Sequence, residues 1–293
     1  MGPAFRGRSV SASLGLQLGG HRMIRMIRTK TAAGTGLILH EGLSVAATQL
    51  SADRGCRPGG DLYEVIATEH GVRVVMGDVR GHGIAAVDTA AALLDGFREA
   101  VQDEPDLDRV LRRLERALDR HLRERPRGEH PVTEEFATVL LLEIGPEGDV
   151  RALNCGHPWP YLISGTRVEQ LNGADPLPPL GILPLPPNLP TTWQGPLLPG
   201  ETLALYTDGV EDARDGHGRF FSLKAALASA LHAQAPSPQL ILEEVLQALL
   251  HHAGGAPPDD VALLFLRNDR TNPLGARGTA RPATTHPRPT THL

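Results

Sequence analysis

Apolar residues recur along the chain at two spacings, and the order in which these spacings alternate predicts the elements. The stretches 61–68 and 71–78 are typical of two strands of a hairpin, closed by a short turn at 69–71. Residues 84–101 then carry apolar side chains at helical spacing, and a second apolar stripe begins after Asp106. Two consecutive helices are therefore predicted after the hairpin.

The rest of the chain repeats this grouping of paired strands and paired helices. Further strands are predicted at 43–50, 136–145, 150–156, 160–165, 167–171, 202–209 and 260–267, and further helices at 222–233 and 237–252. A proline-rich loop is predicted over 174–200. Strands that come as hairpins favour antiparallel sheets covered by helices, so the pattern predicts an α+β layered sandwich rather than a Rossmann fold.

Composition divides the chain into three parts. Residues 1–41 are expected to form a flexible basic leader, with a transit-like or membrane-surface segment as the alternatives. Residues 268–293 are rich in proline, threonine and arginine and are expected to be a disordered tail. One globular domain is predicted between them, over 42–267.

Charge and the lack of a long apolar run narrow the classes of function. Residues 1–40 hold six basic residues and no acid. Since the whole chain has a net charge of −5, the rest of the chain has a net charge of −11. Such an acidic body argues against nucleic-acid binding and suits a protein that gathers divalent cations. No stretch approaches the roughly 18 apolar residues of a transmembrane segment. The two cysteines provide no disulfide framework, and we expect a cytoplasmic protein.

Four acids lie at predicted strand ends, each beside glycine or another acid. They are Asp61, Asp78, Asp208 and Asp259. Any one of them could be a turn former or a helix cap. All four together are more typical of ligands for hard cations such as Mg²⁺ or Mn²⁺. Two such ions about 3.5–4 Å apart can activate a water held between them and neutralise phosphate oxygens.

The glycines of the segment GDVRGHG, residues 77–83, fit the same interpretation. The backbone must pass close to the metal ions, and Cβ atoms would obstruct it. The segment is not a phosphate-binding P-loop, because it lacks the Gly-Lys-Ser/Thr ending. No Ser-His-Asp arrangement with a nucleophile elbow is found either.

Seven segments together resemble one known family. They are GGDLYEV, GDVRGHG, FATVLLLEI, NCGHPWPYLI, PPLGILP, LPGETLALYTDGVEDARD and DDVALLFLR. In this order they are similar to the bacterial PPM-type serine/threonine phosphatases (protein phosphatase 2C superfamily) of the SpoIIE/RsbU type. The resemblance extends from about Gly42 to Arg267 and is highly specific as a combination. It implies a four-layer α-β-β-α sandwich with two antiparallel sheets and a centre of two Mn²⁺ or Mg²⁺ ions between them.

The resemblance also implies roles for individual residues. Asp61 resembles the acid that meets the metals partly through water, Asp78 the bridging ligand, and the carbonyl of Val79 a further ligand. Asp208 and Asp259 resemble the remaining metal-binding acids, and Asp260 shares the last role as an alternative. We expect Asp61, Asp78 and Asp208 to be the catalytic set. Glu64 and Ala262 depart from the family pattern, but neither is an expected primary ligand.

The implied function is hydrolysis of phosphoserine or phosphothreonine by direct attack of a metal-bridging hydroxide. The expected substrate is a phosphorylated regulatory protein, such as an anti-sigma-factor antagonist in a partner-switching circuit. A homodimer is left open. Two alternatives remain: a non-catalytic pseudophosphatase that acts by docking, and a metal-dependent phosphodiesterase of small molecules.

Some residues near the proposed ligands have two interpretations. Arg54, Arg57 and Arg80 are candidates for binding the substrate phosphate, although solvated surface arginines are the more common case. His82 and His157 could relay protons, but a structural role is favoured for both. Cys155 is expected to be a small core residue.

Overall fold

The computed structural model describes residues 35–39, 42–50, 59–81, 83–124, 135–231 and 237–270. Within these residues the strands are β1 Thr35–Leu39, β2 Leu43–Leu50, β3 Asp61–Thr68, β4 Gly71–Val79, β5 Ala137–Ile144, β6 Asp149–Cys155, β7 Tyr161–Ser164, β8 Arg167–Gln170, β9 Thr192–Pro196, β10 Thr202–Tyr206 and β11 Val261–Asn268. The helices are α1 Ile84–Asp103, α2 Leu107–Glu124, α3 Gly209–Asp212, α4 Leu223–Ala230 and α5 Pro238–Ala253.

The strands form two antiparallel sheets. The five-stranded sheet has the order β3-β4-β5-β6-β9, and the six-stranded sheet has the order β1-β2-β11-β10-β7-β8. Helices α1 and α2 pack on the first sheet, and α4 and α5 pack on the second. This is the predicted α+β sandwich with its four layers in the order α-β-β-α.

Three apolar cores separate these four layers. The central core lies between the sheets and includes Val74, Leu140 and Leu264. Phe97 and Leu114 belong to the core between the five-stranded sheet and its helices. The third core fills the space between the six-stranded sheet and α4 and α5. Both sheets are thus covered on two faces, which explains why β4, β5, β10 and β11 are nearly continuous buried runs and do not alternate.

Helix boundaries follow local sequence chemistry. The Ser237 side chain accepts a hydrogen bond from the Leu240 backbone N–H at the start of α5, and Pro238 occupies the first turn. The same helix ends at Gly254, whose φ of 68° is left-handed. In α1, Gly96 allows close packing on α2, because a Cβ atom there would lie 2.8 Å from the Cβ of Ala117.

A buried arginine joins the five-stranded sheet to the turn between α1 and α2. Arg73 on β4 is fully buried, and its Nε donates to Glu143 Oε2 on β5 at 2.9 Å. Its remaining donors reach three backbone carbonyl oxygens at the end of α1 and in the turn, those of Val101, Glu104 and Pro105. The turn between the helices is therefore fixed to the sheet by one side chain.

Most predicted elements are present within one to three residues of their expected ends, but four details differ. Strand β9 lies inside the proline-rich segment 174–200 that was predicted as a loop. Strand β10 ends at Tyr206, and residues 209–212 form the short helix α3 instead of continuing the strand. Strand β1 lies inside the segment assigned to the leader, where it pairs with β2.

The fourth difference concerns the start of the tail. Asn268 is buried at the end of β11, and its side chain donates to the Leu197 carbonyl at 2.7 Å. The globular part therefore extends beyond the predicted limit at residue 267. The rest of the leader, and the tail from residue 271, lie outside the described residues. In the described part of the chain, no helix combines the length and apolar character needed to cross a membrane.

Candidate metal centre

Two of the predicted ligands face each other at one end of the five-stranded sheet. Asp61, the first residue of β3, is paired in register with Asp78 near the end of β4. Asp61 is buried and Asp78 is half-buried. The hairpin that the sequence predicts therefore brings these two carboxylates side by side.

Glycines allow the backbone to close tightly around this pair. A Cβ atom at Gly60 would overlap the Val79 carbonyl oxygen and would lie 3.1 Å from Asp78 Oδ1. The Val79 N–H donates to the Gly60 carbonyl at 3.2 Å. A Cβ at Gly59 would overlap the carboxylate of Asp260. The absence of side chains at 59 and 60 is thus what lets the Val79 carbonyl and the acids share one region.

The six-stranded sheet brings the other acids to the same region. Asp208 follows β10 and immediately precedes α3, and Asp259 and Asp260 immediately precede β11. A Cβ at Gly209 would overlap the Asp260 carbonyl oxygen and lie 3.4 Å from the Cβ of Asp259. Asp208 and Asp259 are exposed and Asp260 is half-buried, so the region opens to solvent on this side.

Thr207 links the two sheets at this point. Its hydroxyl donates to Asp61 Oδ2 at 2.8 Å and accepts a hydrogen bond from the Ala262 N–H at 2.8 Å. Thr207 is fully buried, so this hydroxyl exchanges no hydrogen bonds with bulk water. It fixes the orientation of the Asp61 carboxylate from the opposite sheet. Thr207 was missed as a functional residue in the sequence, although its position directly before Asp208 is a usable signal.

His157 forms a second link between the sheets. Its Nε2 lies 3.1 Å from the Tyr206 carbonyl oxygen, and its Nδ1 lies 3.0 Å from the Thr138 hydroxyl. Since a carbonyl only accepts, Nε2 carries the proton and Nδ1 accepts from Thr138. Burial lowers the pKa of His157 to about 3, so the ring is neutral. The favoured structural role of His157 fits this position between Thr138, which is paired with Asp78, and β10.

Burial, and after it the crowding of carboxylates, raises the pKa values of these acids. Burial, followed by the charge of Asp78, raises the pKa of Asp61 to about 8, although the Thr207 hydrogen bond opposes this. Burial and the charges of Asp208, Asp259 and Asp260 raise the pKa of Asp78 to about 7. The pKa of Asp208 is raised by partial burial and by Asp212 and Asp259. Deprotonating several of these carboxylates together is therefore unfavourable unless a positive charge compensates them.

The donor set fits divalent cations of the hard class. The candidate ligands are all carboxylate or carbonyl oxygens, which Mg²⁺ and Mn²⁺ prefer. In the described ranges, no three Asp, Glu, His or Cys side chains already stand in a closed ligand arrangement. Ligand roles for Asp61, Asp78, Val79, Asp208 and Asp259 stay predictions.

The remaining candidates lie around this centre or outside the described residues. The exposed Arg80 guanidinium lies over the Phe136 ring, with its carbon 5.1 Å from the ring centroid. Glu64 is engaged by Arg98, with 2.9 Å between Nε and Oε1. Cys155 is buried, and burial raises its pKa to about 12, consistent with a core residue. Arg54, Arg57 and His82 lie outside the described residues.

Several solved structures share this fold. The RsbU and RsbW domains of Rv1364c from Mycobacterium tuberculosis superpose with a TM-score of 0.65 and 22% identity, covering 81% of this chain and 65% of that one. The PP2C phosphatase domain of SpoIIE from Bacillus subtilis, with a fragment of its regulatory domain, gives 0.61 and 16%, covering 79% and 64%. RsbX in complex with magnesium gives 0.55 and 16%, covering 80% and 98%. The architecture is thus that of PP2C-type phosphatase domains.

The sequence itself places the chain in one family of this class. The family model of Stage II sporulation protein E (SpoIIE) matches residues 68–269, well over half of the chain. The chain belongs to the SpoIIE family, as the sequence motifs indicated. It spans about two thirds of the length of the Rv1364c and SpoIIE structures, 65% and 64% respectively.

Proposed function

We propose that this protein is a metal-dependent phosphoserine/phosphothreonine protein phosphatase. The observation that carries the proposal is the meeting of acids from both sheets around a glycine-lined backbone. Asp61 and Asp78 come from one sheet, while Asp208 and the pair at 259–260 come from the other. Membership of the SpoIIE family and the magnesium bound by RsbX support the same conclusion.

Specific groups of this chain would hold the metal ions and keep their ligands in position. Asp78, Asp208 and Asp259, the Val79 carbonyl and, partly through water, Asp61 would hold two Mg²⁺ or Mn²⁺ ions. When bound, such ions supply an activated water for in-line attack on phosphorus and neutralise the phosphate oxygens. Thr207 keeps one Asp61 oxygen oriented across the sheets. The neutral His157 fixes β10, and with it Asp208, relative to the strand that pairs with β4.

We propose a phosphorylated regulatory protein as the substrate, with an anti-sigma-factor antagonist as the specific candidate. Support comes from the solved structure in which an RsbU domain and an RsbW domain occur in one protein. A cytoplasmic location agrees with such a substrate and is part of the proposal. A homodimer stays an open prediction.

Hydrolysis of p-nitrophenyl phosphate by the purified chain tests the proposed activity. We expect turnover with Mn²⁺ or Mg²⁺, none with chelator, and a loss of at least about a hundredfold in Asp78→Asn. Losing an outer-shell partner already costs about 10- to 100-fold, and Asp78 is the proposed bridging ligand. Circular dichroism of Asp78→Asn checks that the fold survives.

Two further measurements separate the alternatives. Faster turnover of bis-p-nitrophenyl phosphate than of the monoester would overturn the monoesterase assignment and favour a small-molecule phosphodiesterase. Metal binding by calorimetry without turnover of the monoester or of a phosphorylated antagonist protein would favour a docking pseudophosphatase. A folded protein that shows no metal binding and no turnover would overturn the metal centre itself.

A further inference from the structure

Glu211 on α3 is held by two tyrosine hydroxyls. Tyr161 Oη donates to Glu211 Oε1 at 3.2 Å, and Tyr206 Oη donates to Glu211 Oε2 at 3.0 Å. The two rings stack with their centroids 5.7 Å apart and an interplanar angle of 23°. Each carboxylate oxygen therefore has its own donor, and the two donors come from the neighbouring strands β7 and β10.

The two donors of these contacts are buried, while the Glu211 carboxylate is half-buried. Tyr206 is 1% exposed and Tyr161 is 7% exposed. A third donor, Gln170 Nε2 on β8, lies 3.3 Å from Tyr206 Oη and fixes that hydroxyl in place. Hydrogen bonds from buried donors to a carboxylate are among the stronger ones in proteins.

The position of these residues in the chain gives the contacts their significance. Tyr206 precedes Asp208 by two residues and Glu211 follows it by three, so their hydrogen bond closes a small loop around Asp208. Helix α3 has four residues, and an isolated helical turn is unstable without external contacts. Two backbone bonds support the same segment, from Val210 N–H to the Thr207 carbonyl and from Asp212 N–H to the Asp208 carbonyl.

We propose that Glu211, with Tyr161 and Tyr206, forms a latch that positions Asp208 for metal binding. Glu211 is a positioning residue in this scheme and touches neither metal nor substrate. The inference rests on the proposed metal centre. It assigns two different roles within the acidic motif at 208–212: Asp208 binds metal, and Glu211 orients Asp208.

Calorimetry with Mn²⁺ on the full chain tests the latch. Tyr161→Phe/Tyr206→Phe removes both hydroxyls and keeps every charge, and we expect its Mn²⁺ dissociation constant to rise about tenfold, the usual effect of losing outer-shell contacts. Tyr161→Phe alone, at the less buried ring, covers the case in which the double variant fails to fold. Glu211→Gln is expected to match the double variant, since an amide cannot accept from both hydroxyls through two oxygens.

Asp212→Asn is the matched control for charge. Asp212 is exposed, lies next to Glu211 and interacts electrostatically with Asp208, yet it has no contact with the tyrosines among the described hydrogen bonds. If Glu211 acted only through its charge, Asp212→Asn and Glu211→Gln would weaken Mn²⁺ binding equally and the tyrosine variants would not. That outcome overturns the latch.

A second readout distinguishes positioning from general stability. We expect the tyrosine variants to keep the wild-type melting temperature in chelator to within a few degrees, while the rise in melting temperature on adding Mn²⁺ becomes smaller. For p-nitrophenyl phosphate, the half-saturating Mn²⁺ concentration should rise while the maximal rate at saturating metal is largely recovered. If the wild-type protein binds no Mn²⁺, the proposed centre is wrong. If the wild type and the tyrosine variants bind Mn²⁺ with equal affinity, only the latch is wrong.

Discussion

Asp61 and Asp78 titrate far above the usual range for aspartate, and this has a consequence for stability. Their pKa values are about 8 and about 7 in the folded protein, against 3.8 for an unperturbed carboxyl. Between pH 4 and pH 8 the folded state therefore retains protons that the unfolded chain has lost. By linkage, stability falls as pH rises through this window, and the full cost is present above about pH 8.

We predict that the metal-free protein melts at a lower temperature at pH 8 than at pH 6.5. The lowered pKa of His157 has the opposite effect, but that effect is largely complete near pH 6.5, the ordinary value for histidine. Thermal melting in chelator at several pH values measures the slope. Asp61→Asn should flatten it, because the amide does not titrate.

Saturating Mg²⁺ or Mn²⁺ should abolish this loss, since cations bind the deprotonated carboxylates. If wild type and Asp61→Asn show the same slope between pH 6.5 and pH 8 in chelator, the raised pKa of Asp61 is wrong.

At the scale of elements, the contacts of Arg73 predict that the turn between α1 and α2 depends on this one side chain for its stability. Replacing Arg73 with Met would leave Glu143, which is 7% exposed, without its buried partner, and three backbone carbonyls without their donor. Arg151 Nη1, 3.7 Å from Glu143, offers only partial compensation. Removing one partner of a buried pair costs about 3–5 kcal/mol, so we expect a loss of that size in urea unfolding.

Arg98→Ala is the matched control for this prediction. Arg98 also bonds two acids, Glu64 and Asp95, but its side chain is 49% exposed. Solvent-exposed pairs of this kind contribute about 0–1 kcal/mol. Equal losses of stability in the two variants would show that the α1–α2 turn does not depend on the buried arginine.

The elements that the sequence predicted well are those with strong periodicity, such as α2 with its buried Leu111 and Leu114. Strand β9 escaped prediction because its sequence TWQGP contains an exposed tryptophan, a left-handed glycine and a proline. It lies at a sheet edge and pairs with β6 across a register shift between Val150 and Arg151, where such residues are tolerated. Helix α3 is too short to show any helical spacing.

The same contrast holds for the candidate centre. The acids could be predicted because each stands at a strand end beside glycine or another acid, a local signal. The partners of Asp61 and Glu211 could not, because they depend on how distant segments pack. Thr207 is 146 residues from Asp61, and Tyr161 is 50 residues from Glu211.

At the scale of the whole molecule, the centre depends on the fixed distance between two sheets. Thr207→Val keeps the side-chain shape but leaves the buried Asp61 oxygen and the Ala262 N–H without their shared partner. We expect a loss of about 1–3 kcal/mol in urea unfolding, together with weaker metal binding by calorimetry. Thr207→Ser keeps the hydroxyl and should retain most of both properties. Val and Ser variants of equal metal affinity would contradict the bridging role.

The position of strand β11 limits when this protein can fold during synthesis. It is the last described strand, yet it lies in the interior of its sheet, between β2 and β10. During synthesis the six-stranded sheet therefore cannot close until the segment that follows Asp259 has left the ribosome. Pairings between such distant segments are formed slowly. A partly synthesised chain would contain Asp61 and Asp78 but not yet Asp259 and Asp260. The proposed catalytic centre would therefore be complete only when translation of the domain ends.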